Sequence, residues 1–148
     1  MYAEDRHNSI GHEIKAINHM MQRQMIKSAT KEGIDKVTIM HGWIIHYINR
    51  HSDEDIYQKD IESEFAISRS TVTNILKCME KKGYIRRVSV DSDARLKKLV
   101  LTEKGAEVDL KLSNTIAENE KRFDSLLSAE EKEQFLTLIR KLRAGLKK

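Results

Sequence analysis

Proline is absent from the 148 residues and glycine occurs only six times, so the residues that most effectively interrupt helices are scarce. A mostly helical chain is the expectation. A single cysteine, Cys78, rules out an internal disulfide, and without a Cys-x-x-Cys pair there is no cysteine framework for structural zinc. No apolar run approaches the roughly 18 to 20 residues that a membrane helix needs. Glu4, Asp5 and Arg6 precede any apolar stretch, which is not the layout of a signal peptide. A cytoplasmic protein is expected. Also missing are a nucleophile, base and oxyanion arrangement, a glycine-rich phosphate loop and a pair of catalytic carboxylates, so the sequence argues against an enzyme and calls for no cofactor.

What the chain does have is charge. Charged residues make up 34 % against 39 % apolar, and the net charge is +4. The length fits one domain with a single core and a protruding helical arm. Between Ser68 and Lys104 stand ten basic residues against four acidic ones. The rest of the chain is therefore slightly negative, and a polyanion-binding module is implied.

Ile10, Ile14, Ile17, Met21 and Met25 recur at helical steps and form one stripe, with Asn8 or Ser9 as a cap. The segment from Lys31 to Lys36 breaks the pattern, and Thr38 opens a second helix carrying Ile39, Met40, Trp43, Ile44, Tyr47 and Ile48. It is apolar around much of its circumference and belongs in the core. A polar turn from His51 to Asp55 leads to a short helix, roughly Tyr57 to Glu64, anchored by Ile56, Ile61 and Phe65. After a brief break, Ser68 caps another helix running from about Arg69 to Lys82.

That helix is two-sided. With Ser70 at 0° and about 100° per residue, Thr73, Asn74, Lys77 and Lys81 fall within about 60° of it, whereas Val72, Ile75, Leu76 and Met79 lie opposite. Gly83 terminates it, and Tyr84 to Val90 read as a β-branched strand. The tip of a hairpin follows at Asp91 to Arg95, with a return strand from Leu96 to Leu101. Thr102 then caps a helix of some 25 residues, about 37 Å long, reaching about Leu126. Its Leu112, Ile116, Phe123 and Leu127 need a partner beyond the middle of the chain. Ser128 and Glu131 have capping-box spacing ahead of a last helix striped with Phe135, Leu138, Ile139, Leu142 and Leu146.

Helix, short connection, helix with a polar face and basic hairpin is the order of a winged helix-turn-helix. From about Thr38 to Gly105 the chain resembles the MarR/SlyA family of bacterial transcription regulators, and its flanking helices extend the likeness over most of its length. The most specific match runs from Asp93 through Arg95 and the basic, aliphatic return strand to Leu101-Thr102-Glu103-Lys104-Gly105. Ala94 stands where many members carry a second arginine, and Ser92 where proline is common, which implies fewer wing contacts and a looser tip.

The resemblance implies a mostly α fold with a small β-hairpin wing: a winged helix-turn-helix domain plus N- and C-terminal dimerisation helices. Residues 1–148 would form a single MarR-like domain, with a DNA-binding lobe over about 35–105 and a dimerisation region over about 8–30 and 106–148. Function follows as a ligand-responsive repressor that binds a palindromic operator in double-stranded DNA as a homodimer. The physical reading agrees for the polar face, since Ser70, Thr73, Asn74 and Lys77 suit base edges in the major groove. Ser68 borders it. Arg69, Lys81 and Lys82 suit phosphates. By the resemblance Arg95 enters the minor groove, with Asp93 holding it and Lys97 and Lys98 following the backbone. Ile10, Ile14, Phe135, Leu138, Ile139 and Leu142 would form the dimer interface, unless these helices close an intrachain bundle. An effector would sit near His19, Met40, Trp43 and Tyr47.

Rival readings are a protein-binding adaptor using the winged helix as its surface, and a thiol or metal sensor with the same DNA-binding output. The histidine spacing is poor for metal: His12 lacks a second histidine four residues on, and His41 and His46 are five apart. No metal site is expected. Cys78, at about 80° on the same wheel, sits between the core and polar faces.

Overall fold

The computed structural model describes residues 8–147. Six helices and one hairpin follow in the order α1 (Ile10–Lys31), α2 (Lys36–Arg50), α3 (Gln58–Phe65), α4 (Arg69–Lys81), β1 (Ile85–Val90), β2 (Asp93–Leu101), α5 (Glu103–Leu126) and α6 (Ala129–Leu146). Most helices start where a short polar side chain can accept from the free N–H groups of the first turn. Ser9, Ser68, Thr102 and Ser128 each accept from the N–H three residues on, and Glu131 completes the box by accepting from Ser128 N at 2.8 Å.

Several boundaries differ from the sequence expectation. The second helix begins at Lys36 because Asp35 caps it, accepting from Thr38 N at 3.0 Å and from the Thr38 hydroxyl at 2.7 Å. Helix α3 starts one residue later than expected, after Asp60 accepts from Tyr57 N at 2.8 Å. The hairpin turn is also tighter. Val90 pairs with Asp93, leaving Asp91 and Ser92 at the turn, and the register shifts between Ser89 and Val90.

The main core lies between α2, α3, α4 and the base of the hairpin. Ile44, Ile45, Ile61, Val72, Leu76 and Met79 are wholly buried there, with Ile85 and Leu99 closing it from the strands. A second cluster of Ala29, Ile34, Ile39 and Leu112 ties α1 and α5 to the start of α2. Between α3 and α4, Ala66 takes the left-handed conformation (φ 51°) that turns the chain in so few residues.

Gly105 explains the glycine that ends the wing-to-helix motif. A Cβ at this position would run into the Tyr84 carbonyl oxygen and come within 2.8 Å of Leu101 Cδ1. Tyr84 O also accepts from Thr102 N at 3.0 Å, so this backbone oxygen is held in place. Asp35 also bridges α2 to the end of α4 through Lys82 Nζ at 3.0 Å. Partial burial works to raise the Asp35 carboxyl, but the Thr38 hydroxyl and N–H and the Lys82 ammonium outweigh it and hold it at about 2.

Two outcomes follow. Gly105→Ala costs about 1–3 kcal/mol in urea unfolding, because the backbone oxygen it meets cannot yield as a flexible side chain would. The Asp35 contribution is complete above the ordinary carboxyl value of 3.8 and disappears as the pH falls towards 2. Stability measured over that interval is expected to fall less steeply for Asp35→Asn than for the parent.

Candidate nucleic-acid interface

Burying one side of α4 fixes the direction of the other. Val72, Ile75, Leu76 and Met79 point into the core, so Ser70, Asn74, Lys77 and Lys81 are presented to solvent along the opposite side. Thr73 is half-buried at the edge of this face nearest α3. Ser68, besides capping the helix, donates its hydroxyl to Thr71 Oγ1 at 2.8 Å and lies 3.3 Å from the Ser70 hydroxyl. The first turn is thereby ordered before anything binds.

Beside α4 stands the antiparallel hairpin. Arg95 is exposed near its tip. Asp93 Oδ1 accepts from Arg95 N at 2.9 Å, so it holds the backbone of the tip and leaves the guanidinium free to extend. Lys97 Nζ donates to Ser89 Oγ at 3.1 Å across the strands. Lys98 is placed differently from its neighbour: half-buried, it turns to Asp55 ahead of α3 at 3.4 Å. Lys82 is likewise engaged, by Asp35. Arg69, Lys77, Lys81, Arg95 and Lys97 form no ion pair among the described residues.

The structure brings Arg69 and Arg95 to one recess of about 320 Å³ between α3, α4 and the wing, which Gln58, Lys59, Arg87 and Lys97 also line. Its only acid is Glu62, whose buried Oε1 has no hydrogen-bond partner among the described residues. Gln58, Lys59 and Arg87 were not singled out from sequence. For the first two a signal existed, since Gln58 and Lys59 open the first helix of the helix-turn-helix, next to its partner helix. Chemically, the recess offers several cations beside a row of hydroxyl and amide groups, a combination suited to a phosphate chain flanked by base edges.

A second, apolar cavity of about 430 Å³ lies between α1, α2 and α5. Met40, Trp43 and Tyr47 line it, with Met21, Met25 and Phe65. His19 does not. Helix α1 turns Asn18 and Gln22 to the cavity, and the residue after Asn18 is rotated by about 100° into solvent. Trp43 packs against Phe65, with ring centres 4.2 Å apart and the planes tilted by 58°, and donates Nε1–H to Met40 O at 3.0 Å. His46 lines it too; its Nδ1 is 3.0 Å from Asp109 Oδ1, and Asn49 Nδ2 donates to Asp109 Oδ2 at 2.6 Å. Burial raises the Tyr47 phenol above its ordinary value, aided by the Glu64, Asp60 and Glu54 carboxylates.

Cys78 is a half-buried free thiol. Among the described residues no three histidine, cysteine or carboxylate side chains converge as metal ligands. No described helix is long and apolar enough to cross a membrane.

The residues named for a dimer interface lie on the outer helices α1 and α6. Ile10, Ile14, Phe135, Leu138 and Leu142 are exposed and Ile139 is half-buried. No residue of α6 is buried.

Known proteins share this architecture. The sequence profile of the MarR family matches residues 36–96. The HTH-type transcriptional regulator YwhA of Bacillus subtilis is 30 % identical over 139 residues, covering 88 % of this chain and 94 % of its own. PapX, an HTH-type regulator of Escherichia coli, is 28 % identical over 123 residues, covering 80 % of this chain and 74 % of its own. Among solved structures, MepR of Staphylococcus aureus in complex with DNA superposes with a TM-score of 0.82 at 25 % identity, over 93 % of this chain and 96 % of that one. The regulator MarR of Oenococcus oeni superposes with a TM-score of 0.70 at 28 % identity, over 95 % and 100 %. With a profile match over the helix-turn-helix, a relative 30 % identical over most of the chain and the same fold in solved members, the chain belongs to the MarR family of winged helix-turn-helix transcription regulators.

Proposed function

We propose that this protein acts as a homodimeric, ligand-responsive repressor that occupies a palindromic operator. The observation that carries this reading is the meeting of Arg69 and Arg95 at one recess beside the polar face of α4. A helix fits the major groove, and an arginine on an adjacent wing reaches the minor groove one step along the duplex. Ser70, Thr73, Asn74 and Lys77 read or border bases. Ser68, Arg69, Lys81 and Lys97 hold the backbone. Lys98 contributes less than Lys97, because Asp55 already neutralises it.

Dimerisation is supported by what the outer helices leave uncovered. Leu138 is 60 % exposed and Leu146 83 %, and on α1 Ile10 is 62 % exposed. An intrachain bundle would have buried part of α6, so a second copy of the chain is the cover that suits these stripes. Two copies place two recognition helices about 34 Å apart on one side of the duplex, which calls for an inverted repeat. The apolar cavity beside α2 is the effector site. It adjoins the His46–Asp109 contact between the DNA-binding lobe and α5, so an occupant there biases how the lobes are held. It does so only by preferring one arrangement over the other.

Selection of bound sequences from random duplex DNA tests the reading, with enrichment of an inverted repeat expected and no enrichment refuting it. On the selected site, Arg95→Ala weakens binding by about 1–3 kcal/mol while helicity and oligomeric state stay unchanged. Lys97→Ala weakens all sites alike and lowers the salt slope by about one, whereas Asn74→Ala alters the preference among operator variants. Leu138→Asp yields monomers in sedimentation. Should the parent itself sediment as a monomer, the dimeric part of the proposal fails.

A further inference from the structure

The hydroxyl of Thr73 is handled differently from those of two other helical threonines. Thr115 donates to Lys111 O at 3.3 Å and Thr137 to Glu133 O at 2.9 Å, the usual bond to the carbonyl four residues back. Thr73 makes no such bond. The carbonyl it would use, Arg69 O, is met by Gln58 Nε2 at 3.3 Å, and the same nitrogen lies 2.8 Å from Thr73 Oγ1.

A carbonyl oxygen only accepts, so the Gln58 atom facing Arg69 O is the amide nitrogen. Its two hydrogens are then both committed, one to Arg69 O and one to Thr73 Oγ1. Thr73 therefore accepts from Gln58, and its own proton is left without an acceptor among the described residues. Since α3 and α4 pack through Ile61, Val72 and Ile75, the glutamine is held against the edge of the polar face.

We propose that Gln58 is a specificity-determining positioning residue that fixes the Thr73 hydroxyl as a donor, so that Thr73 selects an acceptor edge in the major groove. This rests on the reading of α4 as the groove-facing helix. The groups that satisfy a donor are guanine O6 or N7, adenine N7 and thymine O4, and those it rejects are the amino groups of cytosine and adenine. Gln58 need not touch DNA to impose this choice.

Selection from random duplex DNA separates this role from a structural one, because a loss of packing lowers affinity at every site and leaves the preferred bases unchanged. Helicity of each variant is followed by circular dichroism, and Gln58, half-exposed in the first turn of α3, tolerates replacement. Thr73→Val erases the preference at one base pair per half-site. Gln58→Met lets the Thr73 proton return to Arg69 O and lowers the preference ratio at that same pair about three- to tenfold, the range of one hydrogen bond. Gln58→Glu accepts the proton instead and shifts the pair towards adenine N6 or cytosine N4, which are donors. Combined with Thr73→Val, Gln58→Met has no further effect on that pair. An unchanged motif for Gln58→Met, or for Thr73→Val, overturns the proposal while leaving DNA recognition by α4 standing. A parent protein that enriches no motif overturns both.

Discussion

The structure depends on the burial of one side of a thirteen-residue helix. Val72, Ile75, Leu76 and Met79 seat α4 against α2, α3 and the hairpin base. Four such side chains bring on the order of 1.5–3 kcal/mol each when fully buried. No other orientation of α4 satisfies them. The polar side is thus held outward by the core, and its direction needs no ligand to define it. Ser68 and Gln58 then order the hydroxyl groups along its edge, at the first turn and against α3 respectively.

Much of this was legible in the chain because it depends on neighbours in sequence. The two-sided character of α4, the caps at Ser68, Thr102 and Ser128, and the hairpin after Gly83 all follow from local spacing. The start of α2 was misread because an apolar pattern marks where a helix packs, while Asp35, a polar residue outside that pattern, decides where it begins. Lys98 looked the same as Lys97 in a basic strand. Only the fold reveals that Asp55, 43 residues earlier, stands within 3.4 Å of it. The Gln58–Thr73 bond was equally hidden, since it spans two helices and depends on their crossing.

The cavity illustrates a different limit. The family resemblance implies an effector near His19, Met40, Trp43 and Tyr47, but one residue of rotation decides which side chains enter the cavity, and Asn18 lines the wall where His19 does not. One lining residue, His46, pairs across 63 residues with Asp109. That contact, with Asn49, joins the core helix of the DNA-binding lobe to the long helix α5. A buried carboxylate with two partners is costly to leave alone. The lobes are consequently coupled by specific bonds as well as by apolar packing.

Thr102 is the sole residue between β2 and α5, and it is pinned on several sides: its N–H donates to Tyr84 O, its hydroxyl to Gly83 O, and Gly105 N donates to that hydroxyl in turn. With no slack at this joint, hairpin and long helix pivot as one crank. The seven residues from Arg95 to Leu101 give an arm of about 23 Å, so inclining α5 by about 10° sweeps that arginine through about 4 Å, more than the rise of one base-pair step. Modest tilting at one end of the molecule is therefore geared up into a change of reach at the other.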